Sequence, residues 1–295
     1  MSNLYDDIAI DIEKAHELLN ANSIECSNRE SYLGLAHKFL YKLKLYNKFV
    51  DAGLIRYWFN EFSEYWSSVL KGRPLQLHDF FYLYSSYRTK FQYISVKENA
   101  SKQEFLYAWQ RYENIYLTLS CVYKNALQPF LCYHFLPFLK MKRRGNILEY
   151  GCGIAPIITS MIKCKMNKYQ FTIADIRNYT YHYAKYRLKQ HGVKTIDIMP
   201  SQAPYLEDKY DVIFLINVLE HLPAPAETVE ALTGSLNKGG FLIFDYILSK
   251  GEGLDTLESV KQRKQVLSFI NDNYRMIKGE PKYNESMGII IVQKA

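Results

Sequence analysis

Asn146-Ile147-Leu148-Glu149-Tyr150-Gly151-Cys152-Gly153-Ile154-Ala155-Pro156 is the stretch from which the rest of the chain is read. Ile147 and Leu148 make a short buried strand. Gly151 and Gly153 supply a turn whose backbone angles and close approaches a Cβ would block. Pro156 suits the first turn of a helix, where its missing N–H goes unused. A strand, a Gly-x-Gly turn and a helix in succession place a ligand against a helix N-terminus at the carboxyl end of a strand in open α/β sheets. The turn alone is compatible with several ligands, so the spacing of the downstream segments decides its meaning.

Downstream, strands and helices alternate, which implies a parallel sheet. The strands are read at 146–150, 169–174 ending on Asp175, 193–198, 210–216 and 241–246. The fourth is nearly all apolar, as a strand buried on both faces should be. Helices are expected near 156–165, 179–191, 225–236 and 255–271, and Asn237-Lys238-Gly239-Gly240 reads as a turn. Two last strands near 274–278 and 288–293 are close enough to pair as a hairpin.

Upstream the pattern is different. Residues 1–140 read as successive amphipathic helices near 4–20, 29–50, 54–70, 77–95 and 101–125, with Pro129 and Pro137 punctuating a last apolar stretch. Ser101-Lys102-Gln103-Glu104 is a capping box. The many aromatics here recur at helical spacing, which is the pattern of packing. Met141-Lys142-Arg143-Arg144-Gly145 is a basic break, read as a solvated linker. The expected division is thus a helical domain over 1–140 and an α/β domain over 141–295.

Composition excludes more than it assigns. The apolar runs fall short of a membrane span, and MSNLYDDIAIDIEKAHELLN is acidic and amphipathic, unlike a signal peptide. Five cysteines without a C-x-x-C pair suggest neither a zinc ribbon nor a disulfide framework, so free thiols in a reducing cytoplasm are expected. The 26 tyrosines, with many Lys, Ile and Asn, fit an AT-rich bacterial genome. A net charge of +7 is ordinary for 295 residues and leaves the partner open.

Four segments in order carry a resemblance. Leu148-Glu149-Tyr150-Gly151-Cys152-Gly153 is similar to the first motif of class I S-adenosylmethionine-dependent methyltransferases. Tyr210-Asp211-Val212-Ile213, Asn217-Val218-Leu219-Glu220-His221-Leu222 and Leu236-Asn237-Lys238-Gly239-Gly240 resemble the later ones, at the spacing expected of that family. The resemblance covers about 146–246, and the terminal hairpin agrees with it. It implies a Rossmann-like, seven-stranded sheet with the last strand antiparallel, here preceded by an all-α region. It also implies S-adenosylmethionine as cofactor and S-adenosylhomocysteine as product.

The resemblance assigns roles to residues of this chain. Gly151, Cys152 and Gly153 bring the backbone to the cofactor's amino-acid end and ribose. Asp175, at the end of the second strand, accepts from the ribose hydroxyls, and Ile176 packs on the adenine. Glu149 resembles the acidic residue that meets the cofactor's amino group; apart from the resemblance, it reads as a solvent-facing strand residue. Asn217 meets the cofactor through its carbonyl or side chain. The position near Pro200 that usually carries an acid beside the adenine has none. Asp197 comes slightly early, which leaves Ser201, Gln202 or backbone groups to read that edge. Ala155 stands at the third small position of the loop.

His221 is either a proton acceptor or a loop-ordering residue, and Tyr246 either lines the acceptor pocket or packs beneath the next loop. No metal is expected, since no further ligands stand at metal spacing. The reading preferred is methyl transfer to an oxygen or nitrogen of a small molecule (a metabolite, a natural product or a surface-glycan precursor), with the N-terminal helices as a lid. An RNA or protein acceptor is the alternative. It is disfavoured because the basic residues are interleaved with acids and no RNA-binding module is recognisable. A non-catalytic cofactor-binding subunit comes last.

Overall fold

The computed structural model describes residues 35–86, 101–141, 144–199, 203–248 and 254–295. The expected helix near 4–20, the ends of those near 29–50 and 77–95, and Ser201 and Gln202 lie outside the described residues. Seven strands form one sheet: β1 Gly145–Tyr150, β2 Tyr169–Asp175, β3 Lys194–Asp197, β4 Tyr210–Leu215, β5 Leu236–Tyr246, β6 Arg275–Lys278 and β7 Met287–Gln293. Their spatial order is β3-β2-β1-β4-β5-β7-β6. The first five are parallel, and β7 runs antiparallel between β5 and β6. The Rossmann-like order with one antiparallel strand is therefore present. β1 and β4 sit side by side at its centre, so the turn after β1 opens where the strand order reverses, the usual ligand crevice of such sheets.

Side chains alternate across the sheet. Ile147, Val212, Phe214, Phe241 and Ile243 pack on one face with Ile157, Ile158 and Met161. Leu148, Ile213, Leu215, Leu242 and Phe244 pack on the other with Val229, Leu232, Val266 and Ile270. Both faces are covered by helices, α8 Pro156–Lys163 and α9 Tyr179–Leu188 on one, α10 Pro225–Gly234 and α11 Leu257–Asn273 on the other. The fully apolar centre of β4 results from this double burial. Asn237 to Gly240, expected as a turn, lies inside β5, and the register slips between the pairs Tyr210–Leu236 and Val212–Phe241. A Cβ on Gly240 would lie 2.8 Å from the Asn237 carbonyl oxygen, so glycine allows the bulge.

The chain before β1 is helical: α1 Leu35–Lys42, α2 Tyr46–Asp51, α3 Tyr57–Glu64 with a π turn over Tyr65–Val69, α4 Leu77–Ser85, α5 Lys102–Gln110, α6 Asn114–Leu127, a 3-10 turn Leu131–Phe135 and α7 Leu136–Met141. The Ser101 capping box forms as expected. The single helix expected over 101–125 is instead two. Arg111 is extended at ψ 143°, and the buried Asn114 side chain donates to the Ala108 carbonyl at 2.8 Å. Asn competes with the helical backbone in this way, and neither glycine nor proline marks the break.

The helical part has a core dominated by aromatic rings. Trp58, Phe62, Tyr65, Trp66 and Phe80 are buried there, together with Ile154, Tyr179, Tyr183 and Tyr186 of the α/β part. Polar contacts cross the same boundary. Tyr65 Oη lies 2.6 Å from His182 Nδ1, Tyr183 Oη donates to Glu61 at 2.6 Å, and Arg187 Nε stands 2.8 Å from Glu61. Among the described residues no helix is long and apolar enough to cross a membrane.

Candidate functional site

A cavity of about 710 Å³ opens at the carboxyl ends of β1, β2 and β4. Its floor is the turn after β1. Gly151 has φ +62°, and a Cβ there would come within 2.4 Å of Val218, so no other residue fits without displacing the loop after β4. Gly153 has φ +53°, with nothing within 4 Å of where its Cβ would be, so its face is open to the cavity. Ala155 holds a left-handed φ of +52° immediately before the proline of α8. Such a backbone in a non-glycine residue costs about 1 kcal/mol and marks a constrained loop.

Two carboxylates hold that loop. Asp175 accepts from the Gly153 N–H and from the Ile176 N–H, both at 2.7 Å. Burial outweighs those bonds and raises its pKa to about 6. Glu149 is 4% exposed and accepts from Ile157 and Ile158 N–H at 3.2 and 2.8 Å. It therefore caps the first turn of α8 from within the cavity wall. Burial pushes it up to about 8 despite those bonds. Of the two readings the sequence allows for Glu149, the solvent-facing one fails. The carboxylate is buried and helix-capping, and it borders the cavity.

Cys152, Ile176, Ile198 and Asn217 line the same space. The Cys152 thiol is pushed up by burial, with Asp175 and Glu149 adding to the effect. Asn217 takes a positive φ of +54°, and its N–H donates to Asp245 at 2.6 Å. Asp197 lies off the cavity, paired with Arg177 Nε at 2.9 Å and with Lys185.

His221 borders the cavity in a 3-10 turn after β4. Its Nδ1 stands 2.8 Å from the Asp255 carboxylate, and Glu220 lies 3.9 Å from Nε2. Burial disfavours its charged form, but Asp255 and Glu220 outweigh this and its pKa stands above the ordinary value. The Asp255 segment is fastened in place: Thr256 N–H donates to the Glu220 carbonyl at 2.9 Å, and its hydroxyl to the Leu222 carbonyl at 2.7 Å. The Trp109 ring packs edge-on against His221, with centroids 5.3 Å apart.

Tyr246 takes the second of its two expected places, packed beneath the next loop, and not the catalytic one. It does not line the cavity; its ring is buried under the Arg263 guanidinium at 4.5 Å, and its hydroxyl donates to the Ser259 carbonyl. Those contacts commit both its ring and its hydroxyl to packing.

The N-terminal helices are the expected lid, but the sequence does not tell which of their residues line the cavity. Phe105 and Trp109 of α5, Leu117, Cys121, Lys124 and Asn125 of α6, and Gln128 just after it line the cavity from above. Cys121, Lys124 and Asn125 share one helical face, at spacings of three and four, and Gln128 follows at the helix end. That mixed polar face on an otherwise apolar helix is a usable signal. Lys124 is the single Lys or Arg among the described lining residues. Arg187 ties this roof to the floor, donating to Asn125 at 3.2 Å and to the Ile154 carbonyl at 3.4 Å.

A family model described as a methyltransferase domain matches residues 123–276, just over half of the chain. A tRNA U34 carboxymethyltransferase of Sulfurovum sp. is 34% identical over 134 residues, 44% of this chain and 40% of the relative. A ubiquinone biosynthesis O-methyltransferase of Nitrosospira multiformis is 28% identical over 108 residues, 35% of this chain and 43% of the relative. The chain thus spans about two fifths of the length of each. Among solved structures, the N-methyltransferase NodS of Bradyrhizobium japonicum, in complex with S-adenosyl-L-homocysteine, is 15% identical with a TM-score of 0.38, covering 51% of this chain and 79% of that one.

Proposed function

The chain belongs to the class I S-adenosylmethionine-dependent methyltransferase family, and on that footing we propose that it methylates an oxygen or nitrogen of a small molecule. One observation carries this reading. The glycine turn with Asp175 and the aromatic wall with His221 border a single cavity of about 710 Å³ beneath helices α5 and α6. A roofed cavity of this size favours an acceptor that enters whole, and the roof excludes water from the reacting atoms.

The residues fit the cofactor. The open face of Gly153 admits the ribose and amino-acid chain, and Asp175 keeps free lone pairs for the ribose hydroxyls. Ile176 and Ile198 border the cavity and would flank the adenine, while Glu149 would face the amino group and Lys124 the carboxylate. Bound there, S-adenosylmethionine supplies a methyl on a sulfonium, an electrophile already activated, so in-line positioning provides much of the acceleration. His221, oriented by Asp255, takes the acceptor's proton. Trp109 walls the acceptor, and its indole N–H, buried with no hydrogen-bond partner among the described residues, is a donor for an acceptor oxygen.

As a base, His221 must be neutral. Turnover is expected to fall as pH drops through a pKa above 6.5. His221→Asn should lower kcat by about 100-fold and remove that limb of the pH profile, while S-adenosylhomocysteine affinity by calorimetry stays within a few-fold. A variant with near-normal kcat would make His221 a loop-ordering residue only.

The similarity to a tRNA-modifying relative favours a second reading, an RNA acceptor. Incubating the protein with methyl-labelled S-adenosylmethionine and fractionated cell extract separates the two. Label in the low-mass fraction, resistant to RNase and protease, is the expected result. RNase-sensitive label would replace it with the second reading.

A further inference from the structure

Two cysteines, 32 residues apart in sequence, meet beneath the cavity. Cys132 lies in the 3-10 turn after α6, and Cys164 directly follows α8; their Sγ atoms are 3.7 Å apart. The backbone between them is pinned. The Cys132 N–H donates to Ser160 Oγ at 2.7 Å, and the Ser160 hydroxyl donates to the Ile157 carbonyl at 3.0 Å. Cys132 is fully buried and Cys164 half-buried, so Cys164 is the more accessible of the two. A disulfide bond is about 2.05 Å long, so the sulfurs need approach by little more than 1.5 Å, within reach of side-chain rotation.

We infer that Cys132 and Cys164 are a redox-modification site, closing to an intramolecular disulfide when a hydroperoxide is the oxidant. The division of protons suits this chemistry. The Cys132 thiol donates to Cys164, and that bond, with the Tyr133 hydroxyl and Lys38, outweighs burial and holds the Cys164 thiol below its ordinary value. Cys132 is correspondingly raised. The Cys164 thiolate attacks one peroxide oxygen, breaking the O–O bond and giving a sulfenic acid and hydroxide. The Cys132 sulfur then attacks the sulfenic sulfur. The S–S bond forms, the S–O bond breaks, and the hydroxyl leaves as water with the Cys132 proton. The two thiols lose two electrons and two protons, and the peroxide becomes two waters once the hydroxide takes up the first proton.

The ring so closed runs from 132 to 164 and contains β1 and the whole glycine turn. Leu131 at one end and Pro156 and Ile157 within it border the cavity. The bridge would therefore fix the cavity's floor to the base of its roof.

The full-length protein is treated with a small excess of hydrogen peroxide, unfolded, alkylated with N-ethylmaleimide and examined by intact and peptide mass spectrometry. The expected result is a cross-linked peptide joining Cys132 to Cys164 and three alkylated cysteines, five less the bridged two. Dithiothreitol should restore five. Oxidation should also raise the thermal midpoint by about 5 °C. Cys164→Ser, at a half-buried position outside the cavity, should fold normally, give no cross-link and show no such rise. The inference is overturned if both cysteines remain alkylated while Cys121 or Cys152 oxidises first, or if Cys164 is found only as a sulfinic acid or in intermolecular dimers.

Discussion

Asp175 binds the loop that it is expected to share with a ligand. Each carboxylate oxygen accepts one backbone N–H, which fixes Gly153 and Ile176 and leaves lone pairs facing the cavity. Protonation would convert one oxygen into a donor facing an N–H. Because the Asp175 pKa is raised to about 6, affinity for S-adenosylhomocysteine should hold above that value and fall by roughly tenfold per unit below it. Titration calorimetry from pH 5 to 8 reads this directly. Asp175→Ala should abolish binding with a cooperative melt retained, and unchanged affinity would remove Asp175 from the ribose site.

Glu149 gives the opposite signature in stability. A carboxyl raised from 4.5 to about 8 binds its proton more tightly folded than unfolded. Its contribution is complete below about 4.5 and is lost as pH rises through 8. In the cofactor-free protein, Glu149→Gln keeps a carbonyl for the α8 amides and cannot ionise. Its thermal midpoint should exceed that of the wild type by roughly 5–10 °C at pH 8.5 and approach it near pH 5. Parallel calorimetric melts across that range check it; equal slopes with pH would mean that Glu149 stays ionised in its cap.

At the scale of elements, strands and turns are more legible than helix ends. β1, β2 and β4 announce themselves through short apolar runs ended by Gly151, Asp175 and Asn217, because a doubly covered parallel strand needs little else. The breaks in the helical part are not legible. Lys44 with φ +58° separates α1 from α2, and Arg111 separates α5 from α6, without glycine or proline at either place. Such breaks answer to tertiary packing, here Ala108 and Trp109 seating on Leu254 while α6 lies over the glycine turn. Asp255 and Tyr246 show the same limit. Local pattern does not tell which loop will come to face His221, or that Tyr246 will find Arg263 and Ser259 instead of the cavity.

Arg187 joins these elements. It is buried and reaches Glu61 on α3, Asn125 on α6 and the Ile154 carbonyl of the loop. Arg187→Met would leave three oxygens without their cation. It should cost about 3 kcal/mol of stability, read as a lowered urea midpoint at unchanged slope, and should weaken S-adenosylhomocysteine binding several-fold by loosening Ile154. If stability falls with no change in affinity, the ion pair supports the fold but does not position the turn.

For the molecule as a whole, the boundary near 140 divides the kinds of secondary structure more clearly than it divides the packing. Tyr179, Tyr183, Tyr186 and Ile154 are buried in the same cluster as the rings of α3 and α4. A fragment of 141–295 would expose those side chains and lose the roof from Phe105 to Gln128. It should show no cooperative melt by circular dichroism and no binding of S-adenosylhomocysteine. A fragment that melts cooperatively and binds would make the helices a separable lid.

The shared aromatic cluster also constrains how the chain is made. A ribosome releases the N-terminal segment first, and domains usually fold as they emerge. Here the rings of Phe62 and Tyr65 have part of their partners on α9, more than a hundred residues later in translation. Until that helix leaves the exit tunnel the nascent helices carry uncovered aromatic surface, a natural client for chaperones, and a pause in synthesis before α9 has emerged would be the moment of greatest aggregation risk.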